Sequence, residues 1–252
     1  MRLIKHELED YRILLRNIPS LVVTLFVVSV IMMNLLANKE FISVEYFALD
    51  CGFFLSWVSF LCMDIICKRF GGKAAIKISL LAMVINLAVC IIFKLLSLAP
   101  GMWGEYYSTG SMAVNDALNA TIGGSWYVVM GSSIAMASAA VTNAFINLTV
   151  AKKLRSDNFK AFAARSFIST FLAQFVDNFV FATLVSLHFF GWTWPQVLIC
   201  SLTGAFAELL CEVLFSPFGY RVSRSWEKER VGEQYIRFAQ SGKVALQTNN
   251  IK

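Results

Sequence analysis

Pro19–Ala37 reads PSLVVTLFVVSVIMMNLLA, nineteen residues without one charged side chain. A helix rises about 1.5 Å per residue, so this run reaches nearly across the roughly 30 Å hydrocarbon core of a bilayer. A helix on the surface of a soluble protein keeps a polar face, and this one has none. Working outward, the same pattern recurs at about 46–67, 74–98, 126–151, 161–190 and 195–219. The expected fold is therefore an all-α membrane protein with six transmembrane helices. A polar leader (1–18) precedes the transmembrane domain (19–219), and a tail (220–252) follows it. The leader carries acidic residues and no small-x-small pattern follows the first run, so no cleaved signal peptide is expected.

Composition agrees. The 252 residues are 58% hydrophobic and 15% charged, where soluble domains carry about 25% charged residues. That excludes a disordered chain, a coiled coil and an ordinary water-soluble enzyme. The net charge of +6 could suggest nucleic acid, but position decides. Of the 22 Lys and Arg residues, 20 lie in the leader, the tail, and the links around Lys68–Lys77 and Lys152–Arg165. Only Lys39 and Lys94 fall on the other side, with Glu40, Glu45, Glu105 and Asp116. Positive charge concentrates on the cytoplasmic side of membrane proteins, so both termini are expected to be cytoplasmic. The basic balance then reflects topology. The expected partner is the lipid bilayer, not nucleic acid.

The six cysteines all fall within the expected spans, which argues for buried apolar roles and against a disulfide framework or a metal site. The only histidines are His6 and His188, and the chain has no G-x-S-x-G, H-E-x-x-H or G-x-x-x-x-G-K motif. No enzyme, cofactor or self-contained ATPase is expected. The link Ala99–Ser125 is expected to be a lid or a plug, and the chain beyond Gly242 a loose end. Gly131–Ala144 (GSSIAMASAAVTNA) is expected to allow close helix packing or to form the face of a homodimer.

A charge at mid-bilayer costs about 2.5–3.5 kcal/mol on insertion scales and points to function. Asp177 is the clearest case, and Ser169, Gln174, Asp177 and Phe181 share one helical stripe. Glu208 and Glu212 stand one turn apart on the sixth helix, and Asp64 lies near one end of the second. Asn34, Asn86, Asn143 and Asn147 add uncharged hydrogen-bonding groups. Asp64 has a plain alternative as an ion-pair partner of Arg69 or Lys73, the asparagines as interhelical glue, and Arg165 as a snorkelling anchor.

These residues resemble a known family. Arg165, Ser169, Gln174, Asp177 and Phe181 match the fifth-helix hallmark of the queuosine-precursor transporter family, also called the VUT or vitamin uptake transporter family. Asn34-Leu-Leu-Ala-Asn-Lys39 resembles its first-helix N-x-x-A-x-K element. Asp64 with Phe70-Gly71 and Ala74-Ala75 resembles its second-helix signature, and Glu212 with Pro217 its last-helix ending. The resemblance implies secondary uptake of 7-deazaguanine bases across a bacterial inner membrane. The implied substrate-binding residues are Asp177, Gln174, Glu208, Asn143, Asn147, Phe181 and Asn34, with Asp177 as bidentate acceptor. Phe181 or Trp57 would stack on the base. Asp64, Lys68, Arg165, Ser169 and Glu212 would be structural or coupling residues. Lys68 and Glu208 stand where the family commonly has Glu and Lys, so this reversed pair is expected to lie close together. Two other readings are a substrate-binding membrane subunit of a multi-component vitamin importer and an intramembrane enzyme. Neither catalytic residues nor a resident metal are expected.

Overall fold

The computed structural model describes residues 2–153 and 159–249. Within its helices the side chains of 2–6, 140, 143–145, 147–153, 159–167, 169 and 242–249 lie outside the description. The protein is 83% helical. Helix α1 (Arg2–Asn17) leads into α2 (Ser20–Leu36), and a hairpin of β1 (Glu40–Val44) and β2 (Phe47–Asp50) follows. Helices α3 (Phe53–Phe70) and α4 (Gly72–Leu98) come next, then the short α5 (Gly104–Thr109) and α6 (Met112–Gly123). α7 (Trp126–Lys153) and α8 (Phe159–Phe181) pair. α8 runs on through a π turn (Ala182–Ser186) into α9 (Leu187–Phe189), and α10 (Trp194–Lys228) and α11 (Glu233–Asn249) close the chain.

Three helices among the described residues, Gly72–Leu98, Thr170–Phe189 and Trp194–Lys228, are long and apolar enough to cross a membrane. A fourth span arises if Glu7–Asn17 and Ser20–Leu36, bent by 106° at Pro19, count as one. α4 shows why lipid is its solvent. Ile76, Leu80, Val84, Ile91, Leu95 and Leu98 are all exposed along it, an apolar face that water does not tolerate at this length. α3 is eighteen residues long and carries Asp64, Lys68 and Arg69 toward its end, which weakens its apolar signal.

The second expected span, 46–67, starts too early. Residues 47–50 are a strand, and α3 begins only at Phe53. EFISV and FALD carry β-branched and aromatic residues, and two residues separate the Val44↔Phe47 pair, which makes a tight hairpin. Cys51 consequently lies at the corner before α3 rather than within a span. α3 then packs between α2 and α10. The link between α4 and α7 is ordered as well. Asn115 accepts from the Trp103 backbone N–H at 3.0 Å and Asn119 from the Trp103 indole at 2.7 Å, which holds α5 and α6 together.

At the opposite end of the bundle, α1 turns across it instead of extending α2. Leu14, Ile18, Phe70, Ala74, Ile78 and Tyr235 form a core there, shared by α1, α3, α4 and α11. Lys77 binds Glu7 at 2.7 Å and Asp10 at 2.6 Å, and the Tyr11 hydroxyl donates to the Lys77 carbonyl at 3.1 Å. The tail does not end at Gly242 as a loose segment, because α11 continues to Asn249.

A carboxylate-lined cavity between helices and a hairpin

α8 places Asp177, Asn178 and Phe181 on one face by the three- and four-residue periodicity of a helix. α10 faces them with Cys200, Ser201, Gly204 and Glu208. From α2 come Met33, Asn34 and Ala37, and the hairpin with its corner contributes Glu40, Asp50 and Gly52. Together they line a cavity of about 160 Å³. That is the volume of roughly five waters, below the 300 Å³ or more typical of drug-sized sites. It suits one small molecule.

Close approach is built in at two glycines. A Cβ on Gly204 would stand 3.1 Å from the Asn178 amide nitrogen, so the bare backbone lets α10 pass close to α8. A Cβ on Gly52 would stand 2.5 Å from the Met33 carbonyl and 2.8 Å from Asp50 Oδ1, which lets the hairpin corner seat against the end of α2. Asn178 donates to Glu208 Oε2 at 3.3 Å and links the two helices across the cavity. Asn34 is buried and spends its amide donor on the Val30 carbonyl at 2.9 Å.

The π turn shapes the far wall. Opening the helix by one residue per hydrogen bond turns Ala182 and Ser186 toward the cavity. The Ser186 carbonyl accepts the backbone N–H groups of Phe190 and Trp192, at 3.0 and 3.1 Å. That folds the α9–α10 link back, so the Trp192 indole donates to Glu40 Oε1 at 3.3 Å and ties the link to the hairpin. Asp50 accepts from the Phe53 backbone N–H at 3.2 Å and so caps the start of α3.

Of the sequence-predicted binding residues, Asp177, Glu208, Phe181 and Asn34 meet at this cavity. Gln174 does not line it; its side chain is buried with both amide atoms unpartnered. Asp64 and Glu212 instead meet in a much smaller cleft of about 10 Å³ between α3 and α10, which also takes in Glu208 and Ser56. Trp57 lines that cleft and stacks on Phe215 at 4.1 Å, so it is not free to stack on a ligand in the larger cavity. The side chains of Asn143, Asn147, Arg165 and Ser169 lie outside the described residues.

The expected Lys68–Glu208 pair does not form. Lys68 pairs with Asp64 on its own helix at 3.7 Å, both half-exposed, while Glu208 engages Asn178 deeper in the bundle. Asp64 is thereby partnered by Lys68 rather than Arg69, whose guanidinium Nε donates to the Val231 carbonyl at 2.8 Å. A neighbour one helical turn away captured the lysine before a residue on another helix could.

Sequence reasoning missed Asn178, Asp50, Glu40, Ser186 and Trp192. Asn178 stands four residues after Gln174 and belonged on the same stripe by simple periodicity. Ser186 and Trp192 gave no signal, because a π turn and a chain reversal bring them in. Among the described residues no group of three His, Cys, Asp or Glu side chains is arranged to hold a metal ion.

Comparison with curated proteins and with solved structures gives no match. The profile of a family described as putative vitamin uptake transporter matches residues 50–222, more than half of the chain and every helix that borders the cavity except α2. A polytopic, apolar helical bundle around a small polar cavity is what such a carrier requires, and the chain belongs to this vitamin uptake transporter family.

Proposed function

We propose that the protein imports 7-deazaguanine bases, precursors of the tRNA nucleoside queuosine, as a secondary transporter without an ATPase of its own. In this reading it crosses a bacterial inner membrane six times with both termini in the cytoplasm. The hairpin end of the cavity then faces outward, and the end carrying α1, Lys77 and α11 faces the cytoplasm. The observation that carries the proposal is the joining of Asp177, Asn178, Glu208 and Phe181 around a cavity of about 160 Å³. A deazaguanine presents adjacent N–H donors that one carboxylate accepts together, a carbonyl that an amide answers, and a flat face suited to an aromatic ring. Asp177 is the bidentate acceptor, Asn178 and Asn34 the amides beside it, and Phe181 the ring. Glu208 stays hydrogen-bonded to Asn178 and holds it in place.

The test uses the purified full chain in proteoliposomes with radiolabelled 7-deazaguanine. Uptake by the chain alone is expected; uptake that required added subunits would favour the multi-component importer. Asp177→Asn keeps the shape and removes the charge, so affinity should fall on the order of a hundredfold, since two charge-assisted hydrogen bonds are weakened. Wild-type affinity in that variant would overturn the assignment of Asp177.

A further inference from the structure

Helix α1 has three sides, and two of them are occupied. Its inner side carries Leu14 into the apolar core at this end of the bundle, and Glu7 and Asp10 to Lys77. A second side meets α11, where the Asn17 amide donates to Gln234 Oε1 at 3.4 Å. The third side presents Leu8, Arg12, Leu15 and Arg16, all exposed. Leu8 and Leu15 stand two turns apart with Arg12 between them, so two leucines flank a guanidinium on one face. Neither Arg12 nor Arg16 has an ion-pair or hydrogen-bond partner among the described residues. The exposed carboxylate of Glu9 is outnumbered there, since Glu7 and Asp10 are committed to Lys77.

The bend at Pro19 decides what this side faces. α2 carries Leu21, Leu25, Val28 and Met32 outward as a stripe of exposed apolar side chains, and α1 leaves it at 106°. A helix at nearly a right angle to a spanning one runs along the membrane plane. Glu7, Glu9, Asp10, Arg12 and Arg16 bar α1 from the hydrocarbon core, while its exposed leucines are poorly served by water. The boundary between acyl chains and headgroups satisfies both. Neighbouring segments continue the pattern. Leu21 just past the bend and Ile76 near the start of α4 are exposed, and Lys73, one turn before Lys77, is an exposed cation.

We propose that α1 is an interfacial helix docked on an anionic phospholipid surface, with Leu8 and Leu15 among the first acyl carbons and Arg12 and Arg16 on headgroup phosphates. A guanidinium presents paired donors in a plane that matches two phosphate oxygens, and it is weakly enough hydrated to leave bulk water. A net negative leaflet adds attraction that a zwitterionic one lacks. Lys77 and Tyr11 tie α1 to α4, and Asn17 ties it to α11, so the lipid contact also anchors this end of the bundle. The contact is independent of the substrate that the cavity takes.

The test uses the purified full chain, one copy per nanodisc, in phosphatidylcholine and in an equimolar mixture with phosphatidylglycerol. Hydrogen exchange across Glu7–Asn17 should be on the order of tenfold slower in the anionic discs at low salt, and high salt should remove most of that difference. The wild-type comparison decides the anionic preference without any substitution. Arg12→Gln with Arg16→Gln, at exposed positions outside the core, should erase the lipid dependence while exchange in α4 stays unchanged. Leu8→Ser with Leu15→Ser should speed exchange across α1 several-fold in both lipids. Equal wild-type exchange in the two lipids, or a lipid dependence that survives loss of both arginines, would overturn the inference. So would leucine variants that exchange as the wild type does. Protection that appears only with two copies per disc would assign this face to a second copy of the chain and overturn it as well.

Discussion

Gly204 shows how little space separates a working cavity from a closed one. Its missing Cβ leaves room for the Asn178 amide, which would otherwise stand 3.1 Å away and have to give by a few tenths of an ångström. Gly204→Ala should therefore be tolerated with weakened binding. Gly204→Val adds branches that cannot clear Asn178, break its hydrogen bond to Glu208 and cost about 1–3 kcal/mol by overpacking. Thermal unfolding in detergent, alongside binding of 7-deazaguanine, checks both variants; an unchanged Gly204→Val would show that the helices can separate freely. Part of this was legible beforehand. Asp177 and Glu208 stand out in any apolar segment because a charge there is expensive. The glycine between them has no such mark, since its role lies in what α8 brings opposite.

The π turn and the hairpin are the elements that turn a helix bundle into a site. Ser186 at the end of the π turn holds Phe190 and Trp192 through its carbonyl, and Trp192 then meets Glu40 on the hairpin. The indole–Glu40 contact is a charge-assisted hydrogen bond at the surface, worth about 1 kcal/mol or less once solvent competes. Trp192→Phe keeps the ring and removes the donor. It should raise hydrogen exchange or proteolysis across Phe41–Asp50 without altering the helical content, and unchanged hairpin protection would show that the strands hold themselves. Neither element is written plainly in the pattern. Tyr46–Cys67 is apolar enough to read as one span, and only the pairing of Val44 with Phe47 and the close approach of Gly52 to α2 reveal a hairpin first.

Across the whole molecule, the end opposite the hairpin is clamped by polar contacts around an apolar core. Lys77 bridges Glu7 and Asp10 from α1, and Tyr235 of α11 is buried beside Phe70 and Asp10. Burial, reinforced by the Asp10 charge, pushes the Tyr235 hydroxyl up to about 12. A folded-state value above the ordinary 10 means the neutral phenol is favoured in the native state. Its stabilisation is complete below about pH 10 and is lost as pH rises toward 12. Alkaline loosening of α11, followed by tryptophan fluorescence at the nearby Trp226, should appear in that window and be blunted in Tyr235→Phe. A transition identical in the two proteins would assign it to another group. Removing the lysine is a harsher test of the same clamp. Lys77→Ala leaves Asp10, only 18% exposed, without its cation and should cost about 1–3 kcal/mol, read as a lower melting temperature and faster cleavage near Asn17–Pro19.

The amino-acid sequence by itself determined the solvent and the class of fold, because charge-free runs such as Pro19–Ala37 are stable only where their side chains meet lipid or one another. It also singled out Asp177 and Glu208, because the cost of placing a carboxylate in apolar surroundings depends on its neighbours along the chain. Tertiary structure alone decided which polar residues share a cavity. Lys68 turned to Asp64 and not to Glu208, Trp57 to Phe215 and not to the larger cavity, and Glu40 and Asp50 entered from a hairpin whose second strand alone reads as helix. Such partnerships are settled by distance between segments remote in the chain, and neither spacing nor hydropathy carries that distance.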